Sequence, residues 1–225
     1  MNQPNIIKSV DMFIDHSHEE VTQNLLLQLV EGKVLSKVEK GTLSGPQAFD
    51  AINQFYEAIR HAFSLKLLHL DLHDGNIMMT NNHEIMVVDL ASFFTLDEFM
   101  DFIDEMKAQP INTARQDDLK DKKMKQFLQR LKEIQKKPSE NNRLASLFDY
   151  DRDTISLTYY SMIIDVCKRI LSKSTLDENE KLLLQGELDA LNSTLLADHE
   201  AGNEISSEDF FEKLLSIFEP IQSIR

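Results

Sequence analysis

The chain has 225 residues, of which 42% are hydrophobic and 28% charged. This length and composition fit one ordinary globular domain with a buried core. The formal net charge of −14 argues against a nucleic-acid-binding role, because an acidic surface repels phosphate backbones. No run of about 18 apolar residues is present, so no transmembrane segment is predicted. The first residues lack the pattern of a secretion signal, and the single cysteine, Cys167, suits a reducing compartment as a buried core residue.

The charge is unevenly distributed along the chain. Residues 107–137 hold ten basic residues against four acidic ones, so this segment carries +6 and the remainder carries −20. An apolar stripe runs through the same segment, which predicts a basic amphipathic helix within an insert at about 96–137. We expect residues 115–137 to be either a solvated helix face or a docking site for a protein or an anionic lipid.

The first hundred residues alternate between short strands and helices. The sequence of residues 6–14 predicts a short, hinge-like strand that leads into a linker. Residues 1–15 are therefore predicted to be a segment separate from the lobe that follows. Ser17 and Glu20 have capping-box spacing and predict a helix over residues 16–30. Ser44 and Gln47 have the same spacing and predict a longer helix, whose apolar stripe recurs every three or four residues: Phe49, Ile52, Phe55, Tyr56, Ile59, Ala62 and Phe63.

The second half of the chain is predicted to be helical from Leu96 onward. Residues 153–171 read as a buried helix, and Thr175 with Glu178 predicts the start of another that ends near Gly202. A last helix is expected to begin at Ser206 and to stop at Pro220. The predicted fold class is therefore mainly α, with a small β-hairpin.

The most specific pattern lies in the hairpin region. Residues 69–79 read HLDLHDGNIMM, and residues 85–89 read IMVVD. Residues 80–84 are polar and predict the turn between two short apolar strands. Asp71, Asn76 and Asp89 are therefore separated only by short strands and turns, which can bring three oxygen ligands around a metal-bound phosphate.

Phosphoryl transfer explains why these residue types occur together. A carboxylate must orient the attacking hydroxyl, and oxygen ligands must hold Mg²⁺ against the nucleotide phosphates. Asp71 suits the first role, while Asn76 and Asp89 suit the second, because Mg²⁺ prefers oxygen ligands. His69 is expected to brace the loop by hydrogen bonds, which makes it part of the catalytic machinery.

The segment from residue 67 to residue 93 resembles the catalytic loop and metal-binding aspartate of the protein-kinase-like superfamily. It is most similar to the aminoglycoside and choline kinase type, to atypical bacterial kinases and to minimal kinases that bacterial pathogens inject into host cells. The resemblance implies a C-terminal kinase lobe that uses ATP and Mg²⁺ in a cytoplasm, including a host cytosol. It also implies that Asp153 supports the catalytic loop, and His73 is expected to be a second structural support.

The sequence departs from this family in three places. Leu70 replaces the arginine that pairs with a phosphorylated activation loop in many members, so no such switch is expected. Asp89-Leu90-Ala91 lacks the glycine of the usual metal-binding triplet. No glycine-rich loop followed by a strand with a lysine is visible before His69, so the N-terminal lobe is predicted to be absent or supplied by a second chain.

The predicted organisation has a C-terminal lobe over residues 16–171 and completing helices over 172–225. The main functional hypothesis is ATP-dependent phosphate transfer to a hydroxyl acceptor. One alternative is a catalytically inactive kinase-fold interaction module, in which the polar residues only satisfy the loop backbone. A second alternative is a metal-dependent hydrolase, because His69, Asp71 and His73 alternate and could share one side of a strand.

Overall fold

The computed structural model describes residues 4–15, 22–101, 152–203 and 206–223. Helices provide most of the regular structure in these ranges, as the sequence predicts. The strands are β1 (Ser9–Asp15), β2 (Thr22–Leu27), β3 (Gly32–Val34), β4 (Leu67–His69), β5 (Ile77–Thr80), β6 (Ile85–Val87) and β7 (Phe93–Thr95). The helices are α1 (Gly45–Ser64), α2 (Arg152–Leu171), α3 (Glu178–Glu200) and α4 (Ser207–Phe218), with short 3-10 turns at Leu35–Lys37, Leu90–Ser92 and Glu219–Ser223.

The described strands form three small antiparallel sheets. β1 pairs with β2, β3 pairs with β5 and β5 with β6, and β4 pairs with β7. The predicted hairpin is therefore present as β5–β6, and β3 adds a third strand to it. The β4–β7 pair was not predicted, because each of these strands has only three residues and carries little periodic signal.

The helix α1 begins and packs as its sequence predicts. The Ser44 hydroxyl accepts a hydrogen bond from the Gln47 amide, and the Gln47 side chain accepts one from the Ser44 amide, which completes the capping box. The apolar stripe is buried, with Ile52, Phe55 and Ile59 fully inaccessible to solvent. This face supports the sheet that carries the motif.

A polar contact fastens the hairpin to α1. Gln54 Oε1 accepts hydrogen bonds from the backbone amide of Ile85 (2.8 Å) and from the side chain of Asn5 (3.1 Å). Asn5 also donates to the Ile85 carbonyl at 2.9 Å, and its neighbour Ile6 forms a parallel bridge with Val87. Both edges of the hairpin are thus covered, by β3 on one side and by residues 5–7 on the other.

The central helix of the core is α2. Its buried residues are Ile155, Leu157, Tyr159, Tyr160, Met162, Ile163, Ile164, Val166, Cys167, Ile170 and Leu171. This confirms the prediction of a buried helix and of a core position for Cys167. Burial raises the pKa of the Cys167 thiol well above its ordinary value, because the protein interior disfavours the charged thiolate.

Two predictions of local structure are wrong. Residues 22–27 form the strand β2 instead of continuing a helix from residue 16, because the register from Thr22 to Leu27 pairs with β1. The capping residues Ser17 and Glu20 lie outside the described residues. The helix α3 is capped by Asp177 with Glu180 rather than by Thr175 with Glu178, since Asp177 and Glu180 make both bonds of the capping box.

Other predicted boundaries are confirmed. Ser206 caps α4, a 3-10 turn replaces the helix at Glu219, and residues 96–101 are helical. The basic segment, which includes residues 115–137, lies outside the described residues. None of the helices in the described ranges combines the length and the apolar character needed to cross a membrane.

The contact between α1 and the hairpin gives a first prediction. Gln54→Ala leaves the part-buried Ile85 amide without its acceptor, so we expect a loss of about 1–2 kcal/mol in the free energy of unfolding. Urea denaturation followed by circular dichroism measures this loss. Asn53→Ala, which removes the adjacent amide on the same helix, serves as the control; an equal loss in both variants would contradict the prediction.

Candidate functional site

The loop after β4 and the turn after β6 lie side by side because two strand pairs hold them there. The Val88 amide donates to the Asn76 carbonyl at 3.0 Å, which extends the β5–β6 pairing by one residue beyond the strands. The Leu70 amide donates to the Ser92 carbonyl at 2.9 Å, which continues the β4–β7 pairing in the same way. Asn76 and Asp89 therefore flank the same end of the hairpin.

Asp71 and Asn76 are in direct contact. The Asn76 side-chain nitrogen donates to the Asp71 backbone carbonyl (2.9 Å) and to Asp71 Oδ2 (3.3 Å). Both partners are pure acceptors, so the NH₂ group of Asn76 must face them and its oxygen must point elsewhere. The contact thus orients the carboxylate of Asp71 and directs the amide oxygen of Asn76 away from these two acceptors.

Asp89 occupies a special backbone position at the end of β6. Its φ and ψ angles are both 64°, in the left-handed region, which aspartate tolerates better than most residues other than glycine. The Ser92 hydroxyl donates to Asp89 Oδ2 at 2.6 Å. A carboxylate oxygen of Asp89 and the amide oxygen of Asn76 are the kind of donors that Mg²⁺ prefers, so the residues present fit this metal.

His69 contacts the backbone next to Asp89. Its side chain is fully buried, and Nε2 donates to the Val88 carbonyl at 2.9 Å. The ring also packs edge-on against Phe93, with 4.8 Å between centroids. The hydrogen bond from Nε2 joins the loop after β4 to Val88, the residue before Asp89. The buried ring therefore contacts the loop backbone and is not exposed to solvent.

The His73 side chain lies on the solvent-exposed side of the loop that follows β4. The Gly75 amide donates to His73 Nδ1 at 2.9 Å, so the proton of the neutral ring resides on Nε2. Nε2 lies 3.7 Å from Asp71 Oδ1. A Cβ atom on Gly75 would lie 2.6 Å from the His73 ring, so glycine is what allows the imidazole to occupy this place. His73 therefore lies beside Asp71, and its supporting role stays a prediction.

The arrangement does not support the metal-dependent hydrolase. His69 Nε2 is directed to a backbone carbonyl, whereas His73 lies on the exposed side of the loop. No group of three His, Cys, Asp or Glu side chains that could hold a metal ion occurs among the described residues. The alternation in sequence was misleading because only His69 belongs to a strand; Asp71 and His73 lie in the loop that follows.

Two residues of the site were missed at the level of sequence. Tyr159 on α2 accepts a hydrogen bond at 3.3 Å from the backbone amide of His69, across 90 residues of chain. Burial raises the pKa of its phenol, which therefore remains neutral. Ser92 donates a hydrogen bond to Asp89, and the only sign of this contact in the sequence is that the two residues are three positions apart. The predicted support from Asp153 cannot be compared, because its side chain lies outside the described part of the structure.

A concave region lies away from these residues. A cleft of about 260 Å³ is lined by Lys33, Val38, Glu39, Thr42, Met79, Thr80, Asn81 and His83. It lies at the turn end of β5, whereas Asn76 precedes the first residue of that strand. The cleft is therefore separate from the site around Asp71.

Comparison with known families supports this description of the fold. The family model for the protein kinase domain matches residues 1–104, a range that includes the whole motif from His69 to Asp89. The match supports a protein-kinase-like fold and, in general terms, a kinase-like phosphotransferase activity. The helices α2, α3 and α4 lie beyond the matched range.

The contact from α2 gives a second prediction. Tyr159→Phe removes the acceptor of a buried backbone amide, so we expect the free energy of unfolding to fall by about 1–3 kcal/mol. Hydrogen exchange should show faster exchange at His69 and Leu70. Tyr56→Phe removes a phenol from α1 and provides the control, which should leave exchange in the loop unchanged. Protection at His69 equal to that of the unaltered chain would contradict the prediction.

The packing of Gly75 gives a third prediction. Gly75→Ala must displace the His73 ring and break its bond from the Gly75 amide, so we expect a loss of about 1 kcal/mol in stability. The same substitution should cost clearly less in a His73→Ala background, where the ring is gone. Urea denaturation of the four chains measures this difference, and equal costs in both backgrounds would show that His73 is not the obstacle.

Proposed function

We propose that this chain is the lower lobe of a kinase-like phosphotransferase that transfers phosphate from Mg·ATP to a hydroxyl acceptor. The observation that carries the proposal is the arrangement of three residues. Asn76 contacts the Asp71 carboxylate, and the bond from Val88 to the Asn76 carbonyl brings Asp89 to the same end of the hairpin. Phosphoryl transfer requires a carboxylate that orients the acceptor hydroxyl and oxygen ligands that hold Mg²⁺.

Each residue has a distinct proposed role. Asp71 accepts a hydrogen bond from the acceptor hydroxyl and orients it for in-line attack. The amide oxygen of Asn76 and the carboxylate of Asp89 hold Mg²⁺, which neutralises charge on the nucleotide phosphates when it is bound. His69 and Tyr159 keep the loop in place through the backbone of Val88 and of His69 itself.

The sheet next to these ligands supports a nucleotide as the donor. Ile77 and Met79 point into the core, so Met78, which is only partly buried, points to the opposite face of β5. The register places Val34 and Met86 directly across from Met78 on the neighbouring strands. These three side chains form an apolar row two residues from Asn76, of a kind that suits the flat face of a purine ring.

The upper half of the nucleotide site is proposed to come from outside the described elements. A second chain or a separate lobe would cover the phosphates and add a cationic partner, while the described residues bind Mg·ATP on their own. Leu70 is 1% exposed and packs in the core in the place where many kinases carry an arginine. We therefore propose that activity does not depend on a phosphorylated activation loop.

Asp89→Asn tests the metal role and is the fourth prediction. Asparagine also tolerates the left-handed conformation and can accept the bond from Ser92, so the fold should persist. The lost charge should lower phosphate transfer, or ATP hydrolysis with water as acceptor, by roughly 100-fold or more. Radiolabelled ATP measures both reactions. The control is Asp50→Asn, the same change at an exposed position on α1; unchanged turnover in Asp89→Asn would refute the assignment.

Ligand-dependent unfolding separates the enzyme from the inactive interaction module. A chain that binds Mg·ATP gains stability that rises with the logarithm of ligand concentration once the site is saturated, since the ligand binds only the folded state. We expect millimolar Mg·ATP to raise the melting temperature of the unaltered chain and to leave that of Asp89→Asn unchanged. If the unaltered chain also shows no shift, the interaction module is the better description.

A further inference from the structure

Ser92 is the last residue of the 3-10 turn that follows Asp89, the aspartate proposed to bind the metal. Its side chain is fully buried, and its hydroxyl donates to Asp89 Oδ2 at 2.6 Å. This distance is typical of a strong hydrogen bond to an ionised carboxylate. The bond engages one oxygen of the carboxylate and so sets the direction in which the other oxygen points.

The backbone of Ser92 joins the same turn to the catalytic loop. Its amide donates to the Asp89 carbonyl at 3.0 Å, which closes the 3-10 turn Leu90–Ser92. Its carbonyl accepts from the Leu70 amide at 2.9 Å, one residue before Asp71. Ser92 therefore contacts both the residue proposed to hold Mg²⁺ and the segment proposed to orient the acceptor.

The acceptor of this hydroxyl differs in kind from that of Ser174, the other serine among the buried polar residues. Ser174 is buried to a similar extent, and its hydroxyl donates to the carbonyl of Leu171, three residues earlier, at 2.8 Å. A bond of that kind satisfies the hydroxyl locally and orients nothing else. Ser92 instead donates to the side chain of Asp89, whose backbone is in the left-handed region at the end of β6.

We propose that Ser92 is a positioning residue, which holds the Asp89 carboxylate in the orientation that ligates a divalent cation. The turn after Asp89 has alanine at position 91, so it lacks the conformational freedom that glycine would provide there. The bonds from Ser92 then keep this turn in one arrangement before any ligand binds. The inference rests on the proposed function in one respect, namely that Asp89 is a metal ligand.

A double-mutant cycle on the full chain without metal tests the coupling. We expect Ser92→Ala to lower the equilibrium constant of folding roughly ten-fold, because the bond is buried and charge-assisted. In an Asp89→Gly background, where glycine accepts the left-handed backbone, the same change should cost less than about two-fold. Ser174→Ala is the matched control and should cost the same in both backgrounds. Equal costs of Ser92→Ala in both backgrounds would overturn the inference.

Manganese binding tests the purpose of the coupling. Mn²⁺ titrated in the presence of ATP, and followed by electron paramagnetic resonance, reports the affinity of the site without any turnover. Ser92→Ala should weaken Mn²⁺ binding roughly ten-fold, as expected for loss of a group that orients a ligand, and Ser174→Ala should not. An unchanged affinity in Ser92→Ala would overturn the inference, whereas a lack of Mn²⁺ binding by the unaltered chain would refute the proposed function itself.

Discussion

The antiparallel pairing of β5 with β6 is the constraint on which the site depends. Asn76 directly precedes one strand and Asp89 follows the other by two residues, so their separation is set by the register of the hairpin. A shift of one residue would turn the side chains of one strand to the opposite face relative to the other strand and would separate these two groups. The bond from the Val88 amide to the Asn76 carbonyl continues that register into the site itself.

The hairpin is held in turn by contacts that reach across the chain. Gln54 on α1 and Asn5 near the start of the described residues bind the backbone of Ile85, while β3 pairs with the other side of β5. From α2, Tyr159 binds the backbone of the catalytic loop. A short two-stranded hairpin is only marginally stable in isolation, so this packing is what holds its geometry.

The supporting residues of the site are more deeply buried than the residues proposed to meet substrate. The braces His69 and Ser92 are fully buried, and the groups proposed to meet substrate, Asp71 and Asn76, are only partly so. Such a gradient is expected of a functional site on a rigid scaffold, because buried neighbours fix the orientation of groups that must remain accessible. The contact between Asn76 and Asp71 then couples the proposed metal ligand to the proposed acceptor-orienting carboxylate.

Sequence alone determined the features that arise from local chemistry. Three features depend on residues only a few positions apart, so residue spacing is sufficient to predict them. They are the capping box at Ser44, the apolar stripe of α1 and the polar turn between β5 and β6. The motif from His69 to Asp89 also identified the candidate site, because its residues are separated only by short strands and turns. The order of Asp71, Asn76 and Asp89 thus predicted their proximity, of which the contact between Asn76 and Asp71 is observed.

Only the tertiary structure decided the features that depend on distant partners. Residues 22–27 form a strand because β1 pairs with them, which overrides the helical capping signal before them. The hydrogen bond between Tyr159 and the His69 amide joins residues 90 positions apart, and no local sequence pattern predicts it. Ser92 lies only three residues from Asp89, yet its role depends on the left-handed turn and on the bond from Leu70. A sequence reveals which residue types lie near one another along the chain, but long-range packing determines which of them touch.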